Sequence, residues 1–201
     1  FALVRTIGGT TAGLFASLFF AVSPILIMRG SIGWFKSEPL GLFYGLLAVY
    51  LLISGIKSDE GKISIAKVAG AGVLLALGLA SWGGVQFFIL PIGLFFIALP
   101  FLTKDSKSAV VASVVFASIF FLVTGLFEKT GIDFVSSLNG FFLVGCTGFL
   151  IACSILKKIS KNHLRNCFAL LGGTIIAGIV VVSSNVLSLP SFRYLNAANP
   201  F

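Results

Sequence analysis

Residues 7–40 read IGGTTAGLFASLFFAVSPILIMRGSIGWFKSEPL. Residues 7–28 carry no charge, and then Arg29, Lys36 and Glu38 fall within ten positions. An uncharged apolar run of that length crosses a hydrocarbon layer of about 30 Å as a single helix. Similar runs recur to the end of the chain, so the fold class follows from this pattern. The protein is 58% hydrophobic and 10% charged, with a mean hydropathy of +1.12. A soluble domain carries roughly 25% charged residues, and this chain lacks the polar surface to cover a core in water. A membrane β-barrel is excluded because the runs are continuously apolar and do not alternate over about ten residues.

The expected architecture is all-α, a polytopic transmembrane helical bundle of about seven spans. They fall near 7–28, 39–56, 64–82, 85–102, 109–127, 137–156 and 167–188. The connecting stretches are short and no repeat or Ser/Pro-rich linker divides the chain, which reads as one transmembrane domain over 1–201. It begins at Phe1 without a methionine or a cleavable signal, and is expected to be an internal fragment of a longer protein.

Short loops alternate between the two faces of the membrane. One set holds Arg5, Lys57, Lys62, Lys67, Lys104, Lys107, Lys157, Lys158, Lys161 and Arg165; the other holds Arg29, Lys36, Lys129 and Arg193. Ten basic residues against four place the first set in the cytoplasm. The net charge of +8 is therefore a topology signal with attraction to anionic lipid, not a nucleic-acid footprint. RGSIGWFKSEPL, the SWGG bend and the C-terminal SLPSFRYLNAANPF then face outward.

Two readings of the charged cluster at 29–38 are open on pattern alone. Arg29, Lys36 and Glu38 could snorkel and pair at the interface, with Trp34 and Phe35 in the aromatic belt. Or they form a site for a charged head group. Periodicity does not choose.

The stretch R-G-S-I-G-W-F-K-S-E resembles the second external loop of the catalytic subunit of oligosaccharyltransferase. That family has an arginine, a glycine, an aromatic residue and an acid-x-acid pair there, preceded by a proline. Ser23-Pro24, Arg29, Gly33, Phe35 and Glu38 stand in register. The likeness continues through Leu40-Gly41-Leu42-Phe43 and Leu46 to Leu51, resumes at Ala80-Ser81-Trp82-Gly83-Gly84 and Pro91, and ends in Ser188–Pro200. It covers nearly the whole chain, and the archaeal single-subunit type is most similar.

The resemblance implies a membrane-embedded glycosyltransferase of GT-C type. Such enzymes move a glycan from a polyprenyl (pyro)phosphate carrier, such as a dolichol, onto the asparagine of an Asn-x-Ser/Thr sequon. Polyprenyl-linked oligosaccharide, acceptor polypeptide and lipid bilayer are the implied partners, and Mn²⁺ or Mg²⁺ the implied cofactor, since a divalent cation stabilises the phosphorylated leaving group. With RGSIGWFKSEPL facing outward on the charge bias, the active site of this multi-pass protein is expected on the extracytoplasmic face. Glu38 falls on the second acidic position and is the candidate metal ligand; Arg29 matches the motif arginine, with an interfacial anchor as its plainer role. Lys36 stands where the first acid belongs. Three readings of it are open: positive charge for the carrier phosphate, a rearranged metal site using acids outside the fragment, or an inactive or differently tasked paralogue. Trp82 and Arg193 are candidate contacts to the lipid phosphate, guanidinium being suited to paired phosphate oxygens. A tight bend explains Gly83 and Gly84 equally well. The first external loop and the soluble C-terminal domain of the family are missing from this stretch, so the fragment alone is expected to be inactive.

The other notable residues have plain explanations. Cys146, Cys153 and Cys167 lack CxxC spacing and read as buried thiols; Gly70, Gly72 and Gly78 read as packing positions; His163 reads as a solvated loop residue. Two alternatives remain. One is a polyprenyl-dependent glycosyltransferase acting on a lipid. The other is a multi-pass transporter or flippase, against which the near absence of ionisable residues inside the spans argues.

Overall fold

In the computed structural model the described residues are 1–30, 37–58, 61–103, 106–127, 134, 137–159 and 162–183, with backbone alone at 25, 29, 106, 163 and 177–183. Their elements are α1 (Ala2–Ala21), α2 (Pro24–Gly30), α3 (Ser37–Ile56), α4 (Gly61–Ser81), a 3₁₀ segment (Gly83–Phe88), α5 (Ile89–Leu102), α6 (Ser106–Gly125), α7 (Leu138–Ile159) and α8 (His163–Ser183). No strand occurs among the described residues, as expected for a chain that must satisfy its backbone inside lipid. Among the described residues six stretches are long and apolar enough to cross a membrane: Ala2–Ala21, Ser37–Ile56, Gly61–Ser81, Gly83–Leu102, Lys107–Gly125 and Leu138–Ile159. The expected seventh span, 167–188, coincides in part with α8, whose apolar stretch Leu164–Ile176 is shorter; residues 184–188 lie outside the described set.

The chain forms two compact units, Phe1–Ser154 and Ile155–Phe201. In the second, α8 is the long element, and it carries the buried Cys167.

In the first unit, the expected single span over 7–28 is corrected to two helices. Pro24 opens α2, a position where its missing N–H leaves no bond unmade. Gly9 breaks α1 from within, at φ 84° and ψ 179°, a conformation that side chains disfavour. Three residues upstream of Gly9, the Thr6 carbonyl accepts a hydrogen bond from Lys57 Nζ at 2.6 Å. That bond ties the start of α1 to the end of α3. It also brings Arg5 and Lys57 to one end of the bundle, as the alternation of loops requires.

Inside lipid there is no hydrophobic drive between helices, so close packing and interhelical hydrogen bonds hold them. Glycines make the approach possible. A Cβ on Gly72 of α4 would stand 2.9 Å from the Phe116 carbonyl of α6, and one on Gly55 of α3 would stand 2.7 Å from Val68 of α4. Gly78 is also a tight position, whereas Gly70 meets only Leu51 at an ordinary 3.5 Å. Beyond α4, aromatic rings fill the core. Phe96 meets Phe116 edge-on at 5.9 Å, Phe116 stacks on Phe120 at 6.2 Å, and Phe120 meets Phe134 edge-on at 5.7 Å. Cys146, Cys153 and Cys167 are buried, as their spacing implied.

Candidate functional site

The fourth expected span begins differently from a regular helix, and this difference builds the site. After Ser81 the chain turns extended at Trp82 (φ −151°, ψ 119°) and then winds as a 3₁₀ segment to Phe88. A 3₁₀ helix has three residues per turn, so side chains three apart eclipse one another. Trp82, Val85 and Phe88 therefore share one face, and that face lies on α3. The fit depends on two glycines one turn apart. A Cβ on Gly41 would stand 2.7 Å from Trp82 Cβ and 3.1 Å from Val85, and one on Gly45 would collide with the Phe88 ring. Val85 is 1% exposed and anchors the segment in the core. The Trp82 indole folds back over Gly84, where a Cβ would collide with it.

Gln86 lies off that face. Its Oε1 accepts a hydrogen bond from Asn139 Nδ2 in the first turn of α7, at 2.7 Å and partly buried. Ser137 stands just before α7, and its hydroxyl accepts from the Gly140 N–H while donating to the Phe134 carbonyl at 2.6 Å. The polar groups thus gather where α7 begins.

On its other side Trp82 lines a groove of about 760 Å³ between α1, α2 and α3. This volume lies within the roughly 300–1,000 Å³ range of small-molecule sites. One wall is the α3 stripe Glu38, Pro39, Leu42, Phe43, Leu46, Leu47 and Tyr50. From Glu38 to Tyr50 that stripe is about 18 Å long at 1.5 Å per residue. The opposite wall comes from α1, including Val4, Ala16 and Phe20, and from Leu26 and Gly30 of α2. Almost the whole lining is apolar, with Glu38 at one end. Glu38 sits in the first turn of α3, where the helix's positive end favours a carboxylate. An adjoining cavity of about 310 Å³, which shares Phe1, Ala2 and Tyr50 with the groove, is lined also by Arg5 and Thr6.

The structure thus brings Glu38 and Trp82 to one groove although 44 positions separate them in sequence. Arg29 is next to last in α2, beside the groove-lining Gly30; its side chain lies outside the described residues, as do Lys36 and Arg193 entirely. His163 begins α8, and its side chain is likewise outside the described set. Gly41, Gly45, Gln86 and Asn139 were not singled out by sequence reasoning. An amide within each of two apolar runs was the available signal for the last two.

Among the described residues Glu38 is the sole carboxylate, and no group of three potential metal ligands occurs among them. Mg²⁺ demands a near-octahedral set of oxygens, some of them usually water. Glu38 by itself does not fit that requirement.

The protein-family comparison matches residues 1–192 to the family described as Oligosaccharyl transferase STT3, N-terminal. No curated protein and no solved structure matches the chain.

Proposed function

This chain belongs to the oligosaccharyl transferase STT3 family, and we propose that its groove receives the polyprenyl-linked glycan donor of protein N-glycosylation. It is an integral membrane protein, and its family's activity is glycosyl transfer. The finer reading is transfer of the glycan from a polyprenyl (pyro)phosphate to the asparagine amide of an Asn-x-Ser/Thr sequon. The observation that carries it is the union of one carboxylate, one tryptophan and a long apolar wall in a single groove.

A polyprenyl tail gains little by leaving lipid for an equally apolar groove. Affinity and position must then come from the polar end, where Glu38 and Trp82 lie. The tail fixes the direction of approach, and the phosphorylated head group meets Arg29 and Lys36. Those two cations offset the repulsion between the donor phosphate and Glu38, an effect amplified near lipid by the low dielectric. In the reaction the amide nitrogen bonds to the sugar's anomeric carbon and loses a proton, which the released phosphate or water takes up. The bond from that carbon to the carrier oxygen breaks, and its electron pair leaves with the phosphate. Glu38 orients the polar head or the acceptor amide. Arg29, Lys36, Trp82 and Arg193 bind the phosphate end. Mn²⁺ or Mg²⁺ remains the proposed cofactor, with Glu38 as one ligand and the others drawn from outside the described residues. The face carrying Glu38 is extracytoplasmic on the charge distribution of the loops.

The test is glycan transfer to an Asn-x-Thr peptide by the full protein in carrier-loaded membranes, with and without Mn²⁺. Loss of transfer in Glu38→Gln, with carrier binding retained, supports the reading. Transfer only by Lys36→Asp identifies the natural chain as a variant disabled at its acidic motif. Carrier binding without any peptide transfer, but with glycosylation of a lipid, replaces it with the lipid-acceptor alternative.

A further inference from the structure

The hydrogen bond from Asn139 to Gln86 joins residues 53 positions apart and crosses from the start of α7 to the 3₁₀ segment. Apolar packing holds the segment against α3 and α4: Trp82, Val85 and Phe88 meet Gly41 and Gly45 of α3, and Val85 also faces Gly78 of α4. Packing of this kind sets the segment's distance from α3 but resists rotation about its axis weakly. A polar tether on a different face supplies the missing constraint. Because a 3₁₀ turn holds three residues, rotation at Gln86 is transmitted directly to Trp82, a little over one turn away. The Trp82 ring packs over Gly84, two residues from Gln86, so the ring rests on the segment whose rotation Gln86 sets.

We infer that Asn139 is a positioning residue for the donor groove: through its hydrogen bond to Gln86 it sets the rotation of the 3₁₀ segment and hence the placement of the Trp82 indole on the groove. This rests on the reading of the groove as the donor site. Asn139 is not among the residues lining the groove, and its effect passes through Gln86. The arrangement assigns the start of α7 a role in donor affinity and none in acceptor affinity.

The experiment uses the full protein in membranes, with Asn139→Leu, which keeps the side-chain size and removes the donor, and Gln86→Met, which removes the acceptor. A third variant, Gln86→Asn with Asn139→Gln, exchanges the two side chains and preserves their combined reach. The readouts are binding of polyprenyl phosphate, KM for the donor, KM for the acceptor peptide, and Trp82 emission in a chain whose other tryptophan, Trp34, is replaced by phenylalanine. Loss of one interhelical hydrogen bond in lipid translates to roughly a threefold to tenfold effect. The expected result is a weakening of that size for donor binding and donor KM in each single variant. Acceptor KM stays unchanged, Trp82 emission shifts, and the exchanged pair recovers all three.

Unchanged donor binding and Trp82 emission in Asn139→Leu overturn the inference while leaving the donor groove intact. So does an equal loss for donor and acceptor that the exchanged pair does not recover, since that marks general unfolding. If the unaltered chain fails to bind polyprenyl phosphate, the donor-groove reading falls and the assignment of Asn139 falls with it. A shift of Trp82 emission in that case leaves Asn139 as a purely structural tether.

Discussion

Trp82 and Gly41 are in such close contact that a β-carbon on Gly41 would stand 2.7 Å from Trp82 Cβ. The tryptophan is where it is because α3 has no side chain at that point. Gly41→Ala is therefore expected to push Trp82 away from α3 and into the groove. Overpacking of this kind costs about 1–3 kcal/mol. Donor binding should fall by more than the stability loss explains, because the displaced ring occupies the site. Thermal unfolding measured beside polyprenyl phosphate binding checks both halves of this expectation.

Two glycines of α4 give a paired prediction. At Gly72 the obstacles to a Cβ are the Phe116 carbonyl at 2.9 Å and the Phe120 nitrogen at 3.1 Å, both backbone atoms that cannot swing aside. At Gly70 the nearest atom is the flexible end of Leu51, at 3.5 Å. Gly72→Ala should destabilise the bundle by about 1–3 kcal/mol. Gly70→Ala should be neutral or slightly stabilising, because alanine loses less backbone freedom than glycine in a helix. Detergent-solubilised Tm values of the two variants decide this.

Lys57 Nζ donates to the Thr6 carbonyl at the opposite end of the bundle from Glu38. The bond is exposed, so Lys57→Met is expected to cost less than about 1 kcal/mol. It should leave glycan transfer unchanged, because neither Lys57 nor Thr6 lines the donor groove. Measured Tm and transfer rate test the two claims separately.

The three cysteines are buried. A maleimide reagent should leave Cys146, Cys153 and Cys167 unmodified in the folded protein and label all three once it is denatured. Rapid labelling of Cys146 before unfolding would contradict the packing of α7 against Gly93, where a Cβ would lie 3.0 Å from the Cys146 sulfur.

The membrane fold was legible because charge-free runs of helical length are hard to place anywhere but in lipid. The break in the first span was not. Gly8-Gly9 looks no different from Gly172-Gly173, yet Gly9 takes a positive φ and the second pair stays within α8. The distinction depends on surroundings, such as the contact of Lys57 with the Thr6 carbonyl, that no local pattern encodes. The groove was hidden for a different reason. Leu42, Leu46 and Leu47 line it, but lipid-facing residues of the same helix are equally apolar, so periodicity carries no contrast. Glu38 and Trp82 were legible only through their resemblance to family motifs. Nothing in the spacing joins them. They meet because α3 and α4 run antiparallel and a glycine at 41 admits the tryptophan.

Whether the carrier's tail lies along α3 is tested most directly by photocrosslinking from within the groove. A benzoylphenylalanine at Leu46, on the groove wall, is compared in carrier-loaded membranes with one at Leu122, which is 63% exposed on α6. The probe at Leu46 is expected to capture the polyprenyl carrier above the level seen at Leu122, and excess unlabelled carrier to abolish the difference. Equal capture at both positions, unaffected by competitor, would mean that the carrier meets this helix only as bulk lipid.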